Sequence, residues 1–287
     1  MDREKAPRRV YTPSLPQQEI LFRAENIRAR YPTIGVIGGL GPDATVDLMR
    51  EITENTRLML GAKKDQDHIR VLVASNPETP DRTGHIKYWL GKSDEEVEDP
   101  FFHLVSSYLD LKSQQGQKQR VKYVGVPCNT AHLYVPALQQ VMDEDESGME
   151  IVHMIKAVGD TIHRDHRDVK TVGLLATSGT IETELYQGVL EEAGLRVVIP
   201  DQDDQEHLVM KGIYDKDEGV KAGHIEIPRQ RFIEAARNLK KRGAQAVIEG
   251  CTEIPLALTQ AHLKDMLVIN PTNILARTLI ERTVAAA

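Results

Sequence analysis

The chain has 287 residues, 40% of them apolar, and 43 acidic against 36 basic side chains give a net charge of −7. That supplies apolar surface for one large or two medium cores, while net acidity without a concentrated basic block argues against nucleic acid as a partner. No apolar run reaches about 18 residues, so no membrane span is expected.

The opening stretch, MDREKAPRRVYTP, lacks the apolar segment of a signal peptide, and two cysteines in a chain of this length form no disulfide framework. A cytoplasmic, reducing setting with both thiols free is expected. Residues 1–32 are polar and broken by Pro7, Pro13, Pro16 and Pro32, which reads as an extension outside the core, with a helix over Gln17–Arg30 able to pack on a subunit neighbour.

Thr33–Ile37 is a short β-rich run leading into Gly38-Gly39-Leu40-Gly41-Pro42-Asp43-Ala44-Thr45, followed by a helical pattern from Val46 to Met59. Glycines allow a tight turn, Pro42 suits a first helical position, and a strand–loop–helix of this kind offers free N–H groups to an anion. The fit to G-x-G-x-x-A is a weak dinucleotide signal. The next strand, Ile69–Ser75, lacks the terminal acid that a ribose needs, and no Gly-Lys-Ser/Thr follows the turn. A carboxylate-binding or purely structural turn is the preferred reading.

Asn76–Thr83 holds two prolines at a strand's C-terminal end, where α/β proteins place ligands. Arg82 is therefore a candidate carboxylate clamp, against the alternative of a surface arginine paired with Asp81. The acidic run Ser93–Asp99 reads as a solvated loop or helix start, and Phe102–Gln114 as a helix covering the sheet. Val121–Val126 is a third strand, ending at Pro127-Cys128-Asn129-Thr130 and followed by a helix over His132–Met142. Ile151–Met154 reads as a strand and Ile155–His163 as a helix. His163 and His166 lie in a charged turn, a surface feature before it is a metal site, and no metal is expected.

The plan then repeats. Thr171–Ala176 is an apolar strand, Thr177-Ser178-Gly179-Thr180 a small-residue loop, and Ile181–Ala193 a helix. Arg196–Ile199 is another strand, Pro200–His207 an acidic loop, Leu208–Tyr214 helical, and Lys221-Ala222-Gly223 part of a second polar connection. Ile233–Gly243 is a helix closed by Lys240, Lys241 and Arg242 at its negative end. Ala246–Glu249 is a strand running into Cys251-Thr252-Glu253, Leu267–Asn270 a last strand, and Thr272–Val284 a last helix. The chain thus reads as two similar α/β halves, each with a phosphate-loop-like turn and a strand ending in cysteine.

A thiol titrates near ~8.5 and lower at a helix N-terminus or beside a cation. One thiolate and one thiol on opposite faces of a carbon can remove a proton from one side and return it from the other, inverting a stereocentre without metal or cofactor. The developing charge needs cationic or N–H stabilisation. The plainer alternative, two ordinary buried cysteines, fits less well with the polar Asn129-Thr130 and Thr252-Glu253 that follow them.

The segments IGVIGGLGPDAT, NPETPDRT, VPCNTAH, IVHMI, GLLATSGTI, GVKAG and GCTEIP resemble, in order from Thr33 to the C-terminus, the aspartate/glutamate racemase family, nearest its aspartate branch. The resemblance implies cofactor-independent racemisation of a small acidic amino acid. It implies two pseudo-symmetric flavodoxin-like lobes with parallel sheets and the site in the cleft between them, in a homodimer. The lobes would comprise residues 33–150 with 268–287, and residues 151–267. By motif match Cys128 and Cys251 would be the two bases. Arg82 and Lys221 would hold carboxylates, and Asn129, Thr130, Thr252 and Asn76 would line the site. Lys221 by itself reads as a surface residue.

Three features depart from the family's pattern: the leader, the enlarged acidic loop, and Glu249, which stands where the family has an apolar residue. Facing the thiol, Glu249 would raise the pKa of Cys251; pointing away from the cleft is the preferred orientation. Alternatives on the same scaffold are a catalytically weak binding protein, a dicarboxylate isomerase or decarboxylase, and a thiol redox pair.

Overall fold

The computed structural model describes residues 15–25, 30–114 and 120–287. Of the expected extension, residues 1–14 and 26–29 lie outside the described residues; α1 (Gln17–Glu25) occupies the first part of the expected helix.

Two four-stranded parallel sheets carry the fold. In the first, β1 (Thr33–Gly38), β2 (Val71–Ser75), β3 (Val121–Gly125) and β4 (Glu150–Ile151) are ordered β2-β1-β3-β4. In the second, β5 (Thr171–Ala176), β6 (Arg196–Val198), β7 (Ala246–Gly250) and β8 (Leu267–Ile269) are ordered β6-β5-β7-β8. The two orders are the same once the second sheet is counted from its own first strand. They match the 2-1-3-4 succession of doubly wound α/β folds, whose ligands gather where the strand order reverses. The central strands β1, β5 and β7 are buried at every position. That explains why they read as continuous apolar runs rather than alternating ones.

Helices cover both faces. In the first lobe these are α2 (Pro42–Leu60), α3 (Arg82–Trp89), α4 (Pro100–Gln114) and α5 (Val135–Glu144). The amphipathic helix α6 (Met154–Asp165) lays Ile155, Val158 and Ile162 on the second sheet. The loop helix expected over Ile181–Ala193 is two pieces, α7 (Ser178–Glu182) and α8 (Leu185–Glu192), broken where Glu184 takes φ 53°. Next come α9 (Gln202–Asp204), a π-helical turn over Gln205–Met210 and α10 (Lys211–Tyr214). The remaining helices are α11 (Glu226–Lys241), α12 (Ile254–Ala257) and α13 (Pro271–Ala285).

The chain crosses between lobes twice. β4 lies in the first sheet and β8 in the second, so the crossings fall at residues 152–153 and at residue 270. After the second crossing α13 returns to the first lobe, where Leu275, Ala276, Leu279 and Ile280 pack with Leu48 and Ile52 of α2. Each such fully buried leucine or isoleucine side chain contributes roughly 1.5–3 kcal/mol.

Candidate active site

Both cysteines emerge from equivalent strands. Cys128 follows β3 and Cys251 follows β7, the third-placed strand of each sheet. The Cys128 N–H bonds back to the Val126 carbonyl at 2.8 Å, a three-residue turn centred on Pro127. On the other side Gly250 lets the strand end tightly, because a Cβ there would lie 2.5 Å from Leu174 Cδ1. The two thiols, both buried and unbridged, line one small cleft between the lobes. Its free interior is about 10 Å³, room for roughly one water. The lobes are therefore closed on the site.

Arg82 is the first residue of α3, whose N-cap, Asp81, accepts the Gly84 N–H at 2.6 Å. Asp81 is thus occupied with the helix end, and the guanidinium turns inward. It donates to the carbonyls of Thr79 (3.2 Å) and Pro80 (2.9 Å) and, across the glycine loop, to Leu40. Burial works against its charge, but the Cys128 sulfur and Asp81 outweigh this and hold it above its ordinary value; Cys128 is within hydrogen-bonding reach. Its Nε remains buried and unpartnered. The loop Gly38–Pro42 therefore offers Arg82 a carbonyl rather than an anion a nest. Gly41 lies where a Cβ would stand 2.9 Å from Glu253 Oε1, so the loop also lets the second lobe approach.

The second cysteine has the opposite surroundings. Cys251 Sγ donates to Glu253 Oε2 at 3.0 Å, and Glu253 Oε1 accepts from Lys221 Nζ. Thr252 Oγ1 donates to the same carboxylate at 3.3 Å. Burial, then the Glu253 carboxylate, pushes the Cys251 thiol well up. Burial also opposes the charge of Glu253, but Lys221 and the donated hydrogen bonds hold that carboxyl below its usual range. Lys221 keeps 32% of its side chain in solvent, and with one of three donors used it can still bind a second anion.

Asn129 and Thr130 lie in the lining. Asn129 Oδ1 accepts the Tyr186 hydroxyl at 2.6 Å, leaving its Nδ2 buried and unpartnered, a donor suited to a carboxylate. Thr130 Oγ1 meets Thr177 (3.1 Å) and Thr180 (2.9 Å) across the lobe seam, and Thr83 meets Thr177 at 3.3 Å. Asn76 stands apart from the lining. Its Oδ1 accepts the Glu78 N–H at 3.2 Å and its backbone packs on Gly39, so it shapes the turn before Arg82. Glu249 is turned away from Cys251: its charged neighbour is Asp47 on α2, and it is Glu253 that reaches the thiol. Among the described residues no group of three or more His, Cys, Asp or Glu side chains is arranged to hold a metal.

Sequence reasoning missed Tyr214, Thr83 and Thr177 as lining residues. Thr177 had a signal, since its loop repeats the position of the glycine loop in the first half. Tyr214 had none, being an aromatic at a helix end.

The profile of the Asp/Glu/Hydantoin racemase family matches residues 37–279. The chain belongs to this family. It is 26% identical over 168 residues to the broad specificity amino-acid racemase RacX of Bacillus subtilis, covering 58% of this chain and 64% of that relative's length. Among solved structures it resembles the Picrophilus torridus aspartate racemase (TM-score 0.66, 26% identity, 88% of this chain and 94% of that one). It also resembles an aspartate racemase homologue from Pyrococcus horikoshii (TM-score 0.65, 25% identity, 88% and 99%).

Proposed function

We propose that the protein is a cofactor-independent racemase that interconverts L- and D-aspartate, with glutamate the nearest alternative. The observation that carries the reading is the shared cleft, in which two free thiols on equivalent strands stand, Cys128 beside Arg82 and Cys251 beside the Glu253 carboxylate that Lys221 holds. Arg82 is suited to take the α-carboxylate: its charge lies beside Cys128, where it spreads the negative charge that develops at Cα. Lys221 is suited to the distal carboxylate. Cys128 Sγ takes the Cα proton, forming S–H as the C–H pair moves into the carboxylate-conjugated carbanion. The Cys251 thiol then returns its own proton to the opposite face, leaving a thiolate. For the other enantiomer the two exchange roles.

The named solved relatives are an aspartate racemase and a homologue of one, which supports aspartate. The test is to incubate pure L-aspartate with the protein in reducing buffer without added cofactor and to follow D-aspartate by chiral chromatography. In deuterium oxide the product should carry deuterium at Cα. Failure to form the D-isomer sinks the reading, and full turnover by either Cys128→Ala or Cys251→Ala sinks the two-base mechanism.

A further inference from the structure

A racemase for dicarboxylic amino acids must measure the distance between two carboxylates, because aspartate and glutamate differ by one methylene there. In this cleft that distance is set by how far Arg82, from the first lobe, stands from Lys221, from the second. A side chain that lines the cleft with both is Tyr214. Its ring carries the Lys221 ammonium 5.4 Å from its centroid, a cation–π contact, while Glu253 holds the same ammonium by charge. Tyr214 lines the cleft together with Arg82 and Thr83, the residue after it, which come from the other lobe. It thus contacts Lys221 and shares the cleft wall with Arg82 of the other lobe.

The segment that bears it is stiff. The Gly219 N–H bonds to the Asp215 carbonyl at 2.9 Å, and Asp215 Oδ1 accepts from Asp217 (3.0 Å) and Glu218 (3.1 Å). A Cβ on Gly219 would stand 2.6 Å from the Asp215 carbonyl oxygen. Tyr214 and Lys221, at the two shoulders of this turn, therefore move as one piece. Six π-helical residues precede it over Gln205–Met210, a local arrangement frequent at functional sites.

We propose that Tyr214 is a specificity-determining residue that fixes the closed separation of Arg82 and Lys221 and so restricts the substrate to the four-carbon amino dicarboxylate. The inference rests on the racemase reading above. Removing the ring frees the ammonium on one side and opens the cleft wall shared with Arg82 and Thr83, so the longer diacid can be accommodated.

The measurement is the ratio of kcat/KM for L-glutamate to that for L-aspartate in the unaltered protein, in Tyr214→Phe and in Tyr214→Ala. Tyr214→Ala should raise the ratio about 10-fold or more, the usual worth of one methylene of discrimination. Tyr214→Phe keeps the ring and loses only the hydroxyl, and should raise it less. General damage to the fold lowers both activities together and leaves the ratio in place. A ratio that stays within about twofold, or falls, in both variants overturns the assignment. If Tyr214→Ala does not fold, Tyr214→Leu, which keeps bulk but loses the cation–π contact, replaces it under the same criterion. Absence of aspartate turnover in the unaltered protein sinks the racemase reading itself. Aspartate turnover with an unmoved ratio sinks only the role of Tyr214.

Discussion

At the scale of single residues the two sulfurs are made unlike by their neighbours, not by their strands. Cys128 faces a guanidinium and Cys251 a carboxylate. Glu253→Gln removes the charge that helps keep the Cys251 proton on, so the alkaline limb of the kcat/KM profile should move to lower pH. It should also lower kcat/KM for both enantiomers by the same factor, about 10–100-fold, since a racemisation equilibrium of one forbids unequal losses. An unmoved alkaline limb would remove Glu253 from the control of that thiol.

Glu249 makes a different prediction. It is 1% exposed, its Oε1 is unpartnered, and burial, then Asp47, pushes its carboxyl well above the ordinary value. A raised folded pKa contributes stability that is present below the unfolded value, near ~4.3, and is lost as pH rises above it. Glu249→Gln should therefore raise Tm by several degrees at pH 7–8 and by progressively less toward pH 4. A gain that is the same at both ends would show that Glu249 is not held neutral.

At the scale of elements, the glycine loop is where sequence and structure agree in form and part in purpose. The strand–glycine–helix signature was legible because glycine and proline mark the turn directly. Its use was not legible, because that depends on Leu40 O meeting Arg82 from a loop 42 residues away and on Glu253 arriving from the other lobe. The cysteines and Arg82 could be read from strand ends. Lys221 and Tyr214 sit on an irregular excursion whose position no periodicity encodes. Asn76, expected in the site, serves its own turn. Gly39 has φ 83°, and a Cβ there would fall 2.4 Å from the Asn76 backbone. Gly39→Ala should accordingly cost about 1–3 kcal/mol in denaturant unfolding. It should also lower activity by displacing the loop that receives Arg82. Unchanged stability would mean that the turn can be rebuilt without a positive φ.

For the whole molecule, the decisive fact is a cleft that holds about one water, while the proposed substrate is an amino acid. The lobes must part to admit substrate, and the contacts across the seam are suited to parting. They include the hydroxyls of Thr83, Thr130, Thr177 and Thr180, the Tyr186–Asn129 hydrogen bond at 2.6 Å and the surface ion pair Lys92–Glu182 at 3.2 Å. Neutral hydrogen bonds are worth about 1 kcal/mol net each, and an exposed ion pair about 0–1 kcal/mol. By contrast β1 and β5 lie inside sheets that do not change when the lobes swing. Hydrogen exchange on Cys128→Ala, which binds without turning over, should therefore slow on adding D-aspartate at residues 79–90, 177–183 and 205–224. The β1 and β5 amides should be unaffected. Equal slowing throughout would indicate general stabilisation by ligand rather than closure, and no slowing at the seam would mean that substrate reaches the thiols by some path other than parting of the lobes.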